Sequence, residues 1–571
     1  MLSSLPASTV VSIDFGTTYS GIAYSFVGSH GSVINIGAPG ETHSSKTVTS
    51  VVTDSGGKLV SFGRVAEDEY FRNKNGAHYL FKEFKMALFE AKVGIVPEVT
   101  SIDGRLRLPV TTVIAASLEA LKNYALKKIM KESTLLIRAI DIQWVVTIPA
   151  IWTATAKHVM RATAKTAGLI EDISSDRLIF ALEPEAATLS EVDTSTPHGL
   201  KANDKLVVLD CGGGTIDTTC YLIQTISPTL EVSELVAPSG CPYGGACIDA
   251  RIVDFIKELI GAARYKHFAQ CNPAANHDLL SLISSMKESY QMGSTAQINV
   301  TPLFEDKDLA SISIKELAAS YTSKHPTTSV TAVGHSRLRL SKELMCALYE
   351  PVIKNITSHM NQLLRVPELA GASKVLLVGG FSLFTPLRAA VKDQINSSLQ
   401  LIVPKRPREA VVRGAVLFGL NPKANIKTRV SAYTYGLEHS EFDDLAKHDK
   451  SRHVYDPSLG QYVVDEVFHE YVKQGQKIPV DHQITETYYP VHKGQRTIKS
   501  EIFSGQCTTP PLYIDDPALT KLGVFSVPCD PSLNPDDNEC TVTFQFGLTE
   551  IVIKARNVRT GQEVNLAIDN E

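Results

Sequence analysis

Two stretches of this sequence set carboxylates beside glycines in a pattern that can grip a phosphate and its counter-ion. In Val207-Val208-Leu209-Asp210-Cys211-Gly212-Gly213-Gly214-Thr215-Ile216-Asp217 an apolar run ends on Asp210, three glycines and Thr215 follow, and Asp217 opens the next apolar run. Successive glycines reach backbone conformations closed to other residues, so consecutive N–H groups can turn toward one anion. A carboxylate on each side of such a turn can hold a hydrated Mg²⁺ beside phosphate oxygens. Taken alone, the stretch also reads as a Gly-rich hairpin flanked by turn formers. A second copy alters that balance. Val10-Val11-Ser12-Ile13-Asp14-Phe15-Gly16-Thr17-Thr18-Tyr19-Ser20-Gly21 repeats the grammar of apolar strand, Asp, Gly-Thr turn and second strand. Two such units at domain-scale spacing predict a duplicated fold with phosphates clamped between two loops.

Loops of this kind need strands to carry them and helices to pack the strands. Beyond the first hairpin, 48–52 and 59–62 read as strands and 64–72 as a helix. Phe81, Phe84 and Phe89 mark a helical stripe over 81–89, and 112–131 is a long amphipathic helix whose apolar side carries Leu118, Leu121, Ala125 and Ile129. Its basic face (Lys127, Lys128, Lys131) reads as a solvated side. Trp144 and Trp152 read as core. The run 144–150 reads as a buried strand, 153–167 as a helix closed by Gly168, and 178–182 as a strand. Glu183-Pro184-Glu185-Ala186-Ala187 is a loop entering a helix. A polar break over 193–204 predicts a crossing between lobes.

In the second half, strands fall near 215–223 and 230–237. A Tyr243-Gly244-Gly245 turn leads into a helix over 248–259, and a helix over 278–290 carries Lys287. The Ser/Thr-rich stretch 322–334 reads as a loop, and Ser341 caps a helix over 342–364. A strand runs into Gly379-Gly380. Helices begin near 386 and span 409–420, after a basic loop at 405–408. Strands alternating with helices to about residue 425 predict an α/β architecture. Beyond it, short alternating runs between Gly, Pro and Asp turns predict a β-rich, sandwich-like domain over 426–571.

Composition narrows the class. A chain of 571 residues exceeds a single core, and 43% hydrophobic with 20% charged residues is ordinary for a globular protein. A net charge of −5 gives no nucleic-acid footprint and little attraction to anionic membranes. No basic, apolar leader opens the sequence, and no run of about 18 apolar residues marks a membrane span. Nine scattered cysteines without a CxxC offer no zinc site and fit reduced thiols, predicting a cytoplasmic or nuclear location. There is no GxxxxGK[ST], HExxH or GxSxG, and Asp14-Phe15-Gly16 lacks the partners that would make it a kinase magnesium motif.

What remains resembles, in order and over most of the chain, the 70-kDa heat-shock protein (chaperone) family. That family shares the actin-like ATPase superfamily with actin and sugar kinases. The resemblance rests on the two hairpins and on Val146-Thr147-Ile148-Pro149-Ala150-Ile151-Trp152 with Ala167-Gly168-Leu169. It is extended by Glu183-Pro184-Glu185-Ala186-Ala187, Val378-Gly379-Gly380-Phe381-Ser382, and Glu409-Ala410-Val411 with Gly414-Ala415. It implies a bilobal, duplicated actin-like (ribonuclease H-like) ATPase fold over 1–425, with lobes at about 1–205 and 206–425, then a β-rich substrate-binding-like domain over 426–571. It implies ATP or ADP with Mg²⁺ in the cleft.

The roles implied are specific. Gly16, Thr17, Thr18 and Tyr19 would cradle phosphates, with Gly212, Gly213, Gly214 and Thr215 opposite. Asp14 and Asp210 would hold Mg²⁺ through water, while Asp217 and Glu183 would orient the attacking water. Lys85 would neutralise γ-phosphate charge. Gly244 and Gly245 would lie near the ribose, and Lys287, Gly379, Gly380 and Phe381 would flank ribose and adenine. From the residues alone, Lys85 is as well read as a solvated lysine and Lys287 slightly better so, whereas Glu183 could be a simple helix cap but its sequence context favours function.

The join Asn421-Pro422-Lys423-Ala424-Asn425-Ile426-Lys427 is polar where the family has a leucine-rich linker, and no helical lid follows before Glu571. The resemblance is therefore to a divergent, lid-less branch. It implies a slowly ATP-hydrolysing, chaperone-like protein with protein or peptide clients on the β domain. A nucleotide-sensing interaction or scaffold protein with little hydrolysis is the alternative. A small-molecule kinase of the superfamily is a third reading, without a motif for a sugar pocket or base.

Overall fold

The computed structural model describes residues 8–29, 32–37, 45–72, 76–91, 95–133, 137–192, 199–227, 229–395, 399–422, 424–441, 445–457, 460–490, 493–559, 561 and 563–566. Part of the predicted crossing at 193–204, and Lys423 of the join, lie outside them.

The strand Thr9–Phe15 is buried along its whole length, as suits a strand covered on both faces. It runs parallel to Ile142–Ile148, which is parallel to Leu178–Leu182. On its other side it pairs antiparallel with Tyr19–Phe26, and that strand pairs with Ile34–Gly37 and Lys46–Val48. The second half repeats this order. Lys205–Cys211 lies parallel to Lys374–Val378 and through it to Gln400–Ile402, then antiparallel to Ile216–Thr225 and Glu231–Cys241. The duplication read from two hairpins extends to two whole sheets.

Helices Glu183–Val192 and Ala410–Leu420 lie between the sheets, in a core shared with Val10, Val145, Val208 and Leu376. They touch backbone to backbone: a Cβ on Gly414 would fall 1.5 Å from the Ala186 carbonyl oxygen. Val110–Ser133 and Ala154–Thr166 cover the outer face of the first sheet, the latter capped by the Thr153 hydroxyl and closed by Gly168 at φ +72°. Trp144 and Trp152 are buried there.

Three local expectations are corrected. The stripe over 81–89 is not one helix. Phe81 sits in the strand Tyr79–Lys82, paired with Ser50–Thr53, and Glu83 at φ +56° separates it from a 3₁₀ turn at Lys85–Glu90. The stretch 322–334 contains the strand Val330–Val333. Glu183 opens its helix directly. The basic loop at 405–408 is exposed at Lys405 and Arg406 as expected, and Arg408 makes a surface pair with Glu288 at 2.9 Å.

The polar join enters a sheet. Ile426–Val430 is a strand added to the second-lobe sheet beside Glu231–Cys241, and Lys477–Pro479 pairs on its far side. Its Arg429 is buried between Glu185 (2.7 Å) and Glu234 (3.4 Å), and Glu234 also accepts the Val430 N–H. The rest is a sandwich. A five-stranded sheet including Thr434–Glu441, Gln461–Val472, Thr497–Gly505 and Leu519–Pro528 packs on a four-stranded sheet including Gln483–Tyr488, Cys540–Gln545 and Val552–Asn557. Leu437, Ile502 and Phe525 of one face Val542, Phe544 and Ile553 of the other. The sandwich rests on the first lobe: Arg161 makes a bidentate pair with Glu550 at 2.6 and 2.9 Å, and Lys157 donates to the Thr549 carbonyl. No helix among the described residues is long and apolar enough to cross a membrane.

Candidate functional site

The two acid-tipped hairpins meet in one cleft. A Cβ on Gly213 would fall 1.6 Å from Thr18 Oγ1, and one on Gly214 would fall 3.1 Å from Thr17 Oγ1. The loop of each lobe thus lies directly against the loop of the other, and only glycine fits at 213. The second loop is braced from behind. Gly245 N–H and Ala246 N–H, at the start of helix Gly245–Ile260, donate to the Gly212 and Gly213 carbonyls, and Gly244 N–H donates to Gly214.

The carboxylates converge and are buried. Asp14 accepts from Thr147 Oγ1 at 3.1 Å and forms an ion pair with Lys46. Asp217 accepts from Thr215 Oγ1 at 2.8 Å and from the Ala150 N–H at 2.9 Å. Burial and then the Glu183 charge push the Asp217 carboxyl up to about 7. Burial, reinforced by Glu183, Asp217 and Asp14, holds Asp210 well above the usual carboxylate range. Like charges crowded in a dry cleft resist joint ionisation, which is the electrostatic signature of a place built to receive positive charge.

Lys85, 1% exposed, is no solvated lysine. Its ammonium bonds Glu183 Oε1 at 2.7 Å and lies 5.5 Å from the Trp152 ring centroid. Lys287 is also buried and donates to the Gly245 carbonyl at 3.0 Å and to Asp249 at 2.5 Å. A Cβ on Gly245 would touch both Lys287 Nζ and the Phe381 ring, so these three residues form one corner. Gly379, at φ +82°, packs on the tip of the Asp210 strand, where a Cβ would fall 2.5 Å from Asp210 Oδ1. Gly380 follows beside Arg408. Tyr19 opens the second strand of the first hairpin, and burial with the Glu288 charge raises its phenol. Gly16 is sealed by its own turn, a Cβ there falling 2.3 Å from the Tyr19 carbonyl oxygen. Of the residues singled out in the sequence, these contacts join the two Gly-Thr loops to each other, Lys85 to Glu183, Gly245 to Lys287 and Phe381, and Gly379 to Asp210.

Several neighbours were not singled out. Thr147 left a signal, a hydroxyl in an otherwise apolar strand. Lys46 left none, since its place depends on strand register. At the outer end of the cleft the lobes touch again. His277 of the second lobe stacks on Phe71 (4.5 Å between ring centroids) and approaches the buried Glu67 at 3.3 Å. Glu67 also receives Ser50 and Lys82, and these partners outweigh its burial to hold its carboxyl down at about 2.

Two sheets of one topology, an acid-tipped loop from each, and a β-sandwich docked on them define a duplicated actin-like ATPase fold followed by a β-rich domain. No family model matches the sequence. The chain is 28% identical to Heat shock 70 kDa protein 12B of Homo sapiens, over 98% of its own length and 91% of that protein. It is 29% identical to Heat shock 70 kDa protein 12A of Mus musculus with the same coverage. It is 24% identical to Chaperone protein DnaK of Thermus thermophilus, over 98% of this chain and 80% of that one. Over nearly its whole length the chain is thus similar to proteins of the 70-kDa heat-shock family.

Proposed function

We propose that the cleft binds ATP and ADP and that the chain hydrolyses ATP slowly. One observation carries this reading: two carboxylate-tipped loops from separate lobes abut at Gly213 and Thr18, with Lys85, Glu183 and Asp217 gathered beside them. Phosphoryl transfer needs positioning and charge neutralisation more than covalent chemistry, and this residue set offers both. Gly16, Thr17, Thr18 and Tyr19 face Gly212, Gly213, Gly214 and Thr215 around the phosphates. Glu183 and Asp217 orient the attacking water, with Lys85 kept in place by Glu183. Gly244 and Gly245 lie near the ribose, and Lys287, Gly379, Gly380 and Phe381 flank ribose and base.

The donor set suits a hydrated Mg²⁺. It is made of hard carboxylate oxygens, whose protons are held first by burial and then by the neighbouring negative charge that a cation would relieve. Asp14 and Asp210 would hold the ion through water, and the ion would supply charge neutralisation at the phosphate oxygens.

Protein or peptide clients are assigned to the sandwich. Its hairpin of Val454–Asp456 and Gln461–Val472 exposes Val454, Tyr455 and Tyr462, with the two tyrosine rings edge to face at 5.4 Å. The family relationship supports the same assignment. The cytoplasm or nucleus stays the proposed location.

Calorimetric titration with ADP and Mg²⁺ tests the site, and single-turnover hydrolysis by wild type and Asp210→Asn tests the chemistry. Absence of any heat of binding would overturn the nucleotide reading. Equal single-turnover rates would leave nucleotide sensing without catalysis through Asp210.

A further inference from the structure

Lys46 lies in the heart of the cleft, and three strands put it there. Across the first-lobe sheet, Lys46 is the register partner of Gly21, and Gly21 is the register partner of Asp14. The middle position carries no side chain, so the lysine stem crosses it. A Cβ on Gly21 would fall 2.9 Å from Lys46 Cγ. The ammonium ends on Asp14 Oδ2, while Thr147 holds the other oxygen. Both oxygens of this carboxylate are therefore engaged from within the chain. The Lys46 side chain is 17% exposed, and its charge also bears on Asp210 in the opposite lobe. A lysine withdrawn from water this far loses hydration that only nearby negative charge offsets. Lys85, another ammonium of the site, is held by Glu183, and Lys287 by Asp249.

We propose that Lys46 is a built-in cation of the nucleotide site, so that ADP and ATP bind with little dependence on Mg²⁺. The inference rests on the nucleotide-binding reading and adds to it a ligand form: a nucleoside di- or triphosphate without its divalent ion. The ammonium is a compact point charge that stands beside Asp14 permanently. The metal then becomes an aid to turnover rather than a condition of binding.

The test is calorimetric titration of ADP into the full chain, once in Mg²⁺ and once in EDTA, for wild type, Lys46→Met and Lys46→Arg. Wild type is expected to keep its affinity in EDTA to within about tenfold. Lys46→Met keeps the stem and loses the charge. It should bind in Mg²⁺ and lose on the order of a hundredfold in EDTA, in the upper range of couplings between two sites. Lys46→Arg, which keeps the positive charge, should retain more affinity in EDTA than Lys46→Met, a difference that a purely structural role for the stem would not produce. Wild type that binds in Mg²⁺ and fails in EDTA overturns the proposal, as does Lys46→Met that matches wild type in EDTA. Should Lys46→Met fail to fold by circular dichroism, the wild-type pair of titrations still decides. No binding in either buffer overturns the nucleotide reading itself, and this inference with it.

Discussion

Asp14 and Asp210 end equivalent strands of equivalent sheets, yet they look across their hairpins at different residues. Asp14 is paired in register with Gly21, and Asp210 with Asp217. The missing side chain in the first lobe is filled by a lysine from a third strand, whereas the second lobe sets a second carboxylate there and fixes it with Thr215 and the Ala150 N–H. One hairpin is neutralised from within and the other is left with excess negative charge. The difference shows how a duplicated frame divides its labour. The same backbone pairing supports a resident cation on one side and a pair of proton-hungry acids on the other.

The largest effect should come from removing an acid from the unneutralised side. Asp210→Asn is expected to lower single-turnover hydrolysis by on the order of 10²–10³, and Asp14→Asn by clearly less. Equal losses would break the contrast between the hairpins. Next is the contact that joins them. Gly213→Ala puts a methyl into Thr18, and overpacking of this kind costs about 1–3 kcal/mol, so ADP affinity should fall about tenfold or more. Adding Thr18→Ala, which removes the clashing oxygen, should recover part of the loss.

The third effect is on pH dependence. The Asp217 carboxyl is raised from its ordinary 3.8 to about 7 in the folded chain, so the fold holds its proton more tightly than the unfolded chain does. The stability this gives is complete below 3.8 and is lost as pH rises through 7. The melting temperature of nucleotide-free protein should fall across that window, and Asp217→Asn should flatten the fall. Glu234, also raised to about 7 by burial, keeps part of the slope. The smallest effect sharpens the first-lobe side. Gly21→Ala pushes only on the flexible Lys46 stem and the Ser45 carbonyl, so it should cost less than about 1 kcal/mol in a denaturant titration while moving the EDTA response toward that of Lys46→Met.

The duplication was legible because both hairpins carry it in local residue types: an apolar strand, a carboxylate and a turn. Helix 342–363 was legible for the same reason, with Ser341 at its cap accepting from Leu344 N–H. What escaped depends on partners distant in sequence. Phe81 has helical spacing to Phe84, but its strand is set by pairing with Val51. The join ending at Lys427 reads as a polar linker, and nothing local marks Arg429 just beyond it, because the carboxylates that receive Arg429 stand at 185 and 234. Lys46 is one lysine among many until the register sets it opposite Gly21.

The strand at Ile426–Val430 has a consequence for how the chain is made. Its outer neighbour, Lys477–Pro479, comes some fifty positions later, so the second-lobe sheet stays unfinished on a ribosome until residue 479 has emerged. Any shortened version cut at 425 would leave the edge of Glu231–Cys241 bare, open to pairing with another molecule's backbone.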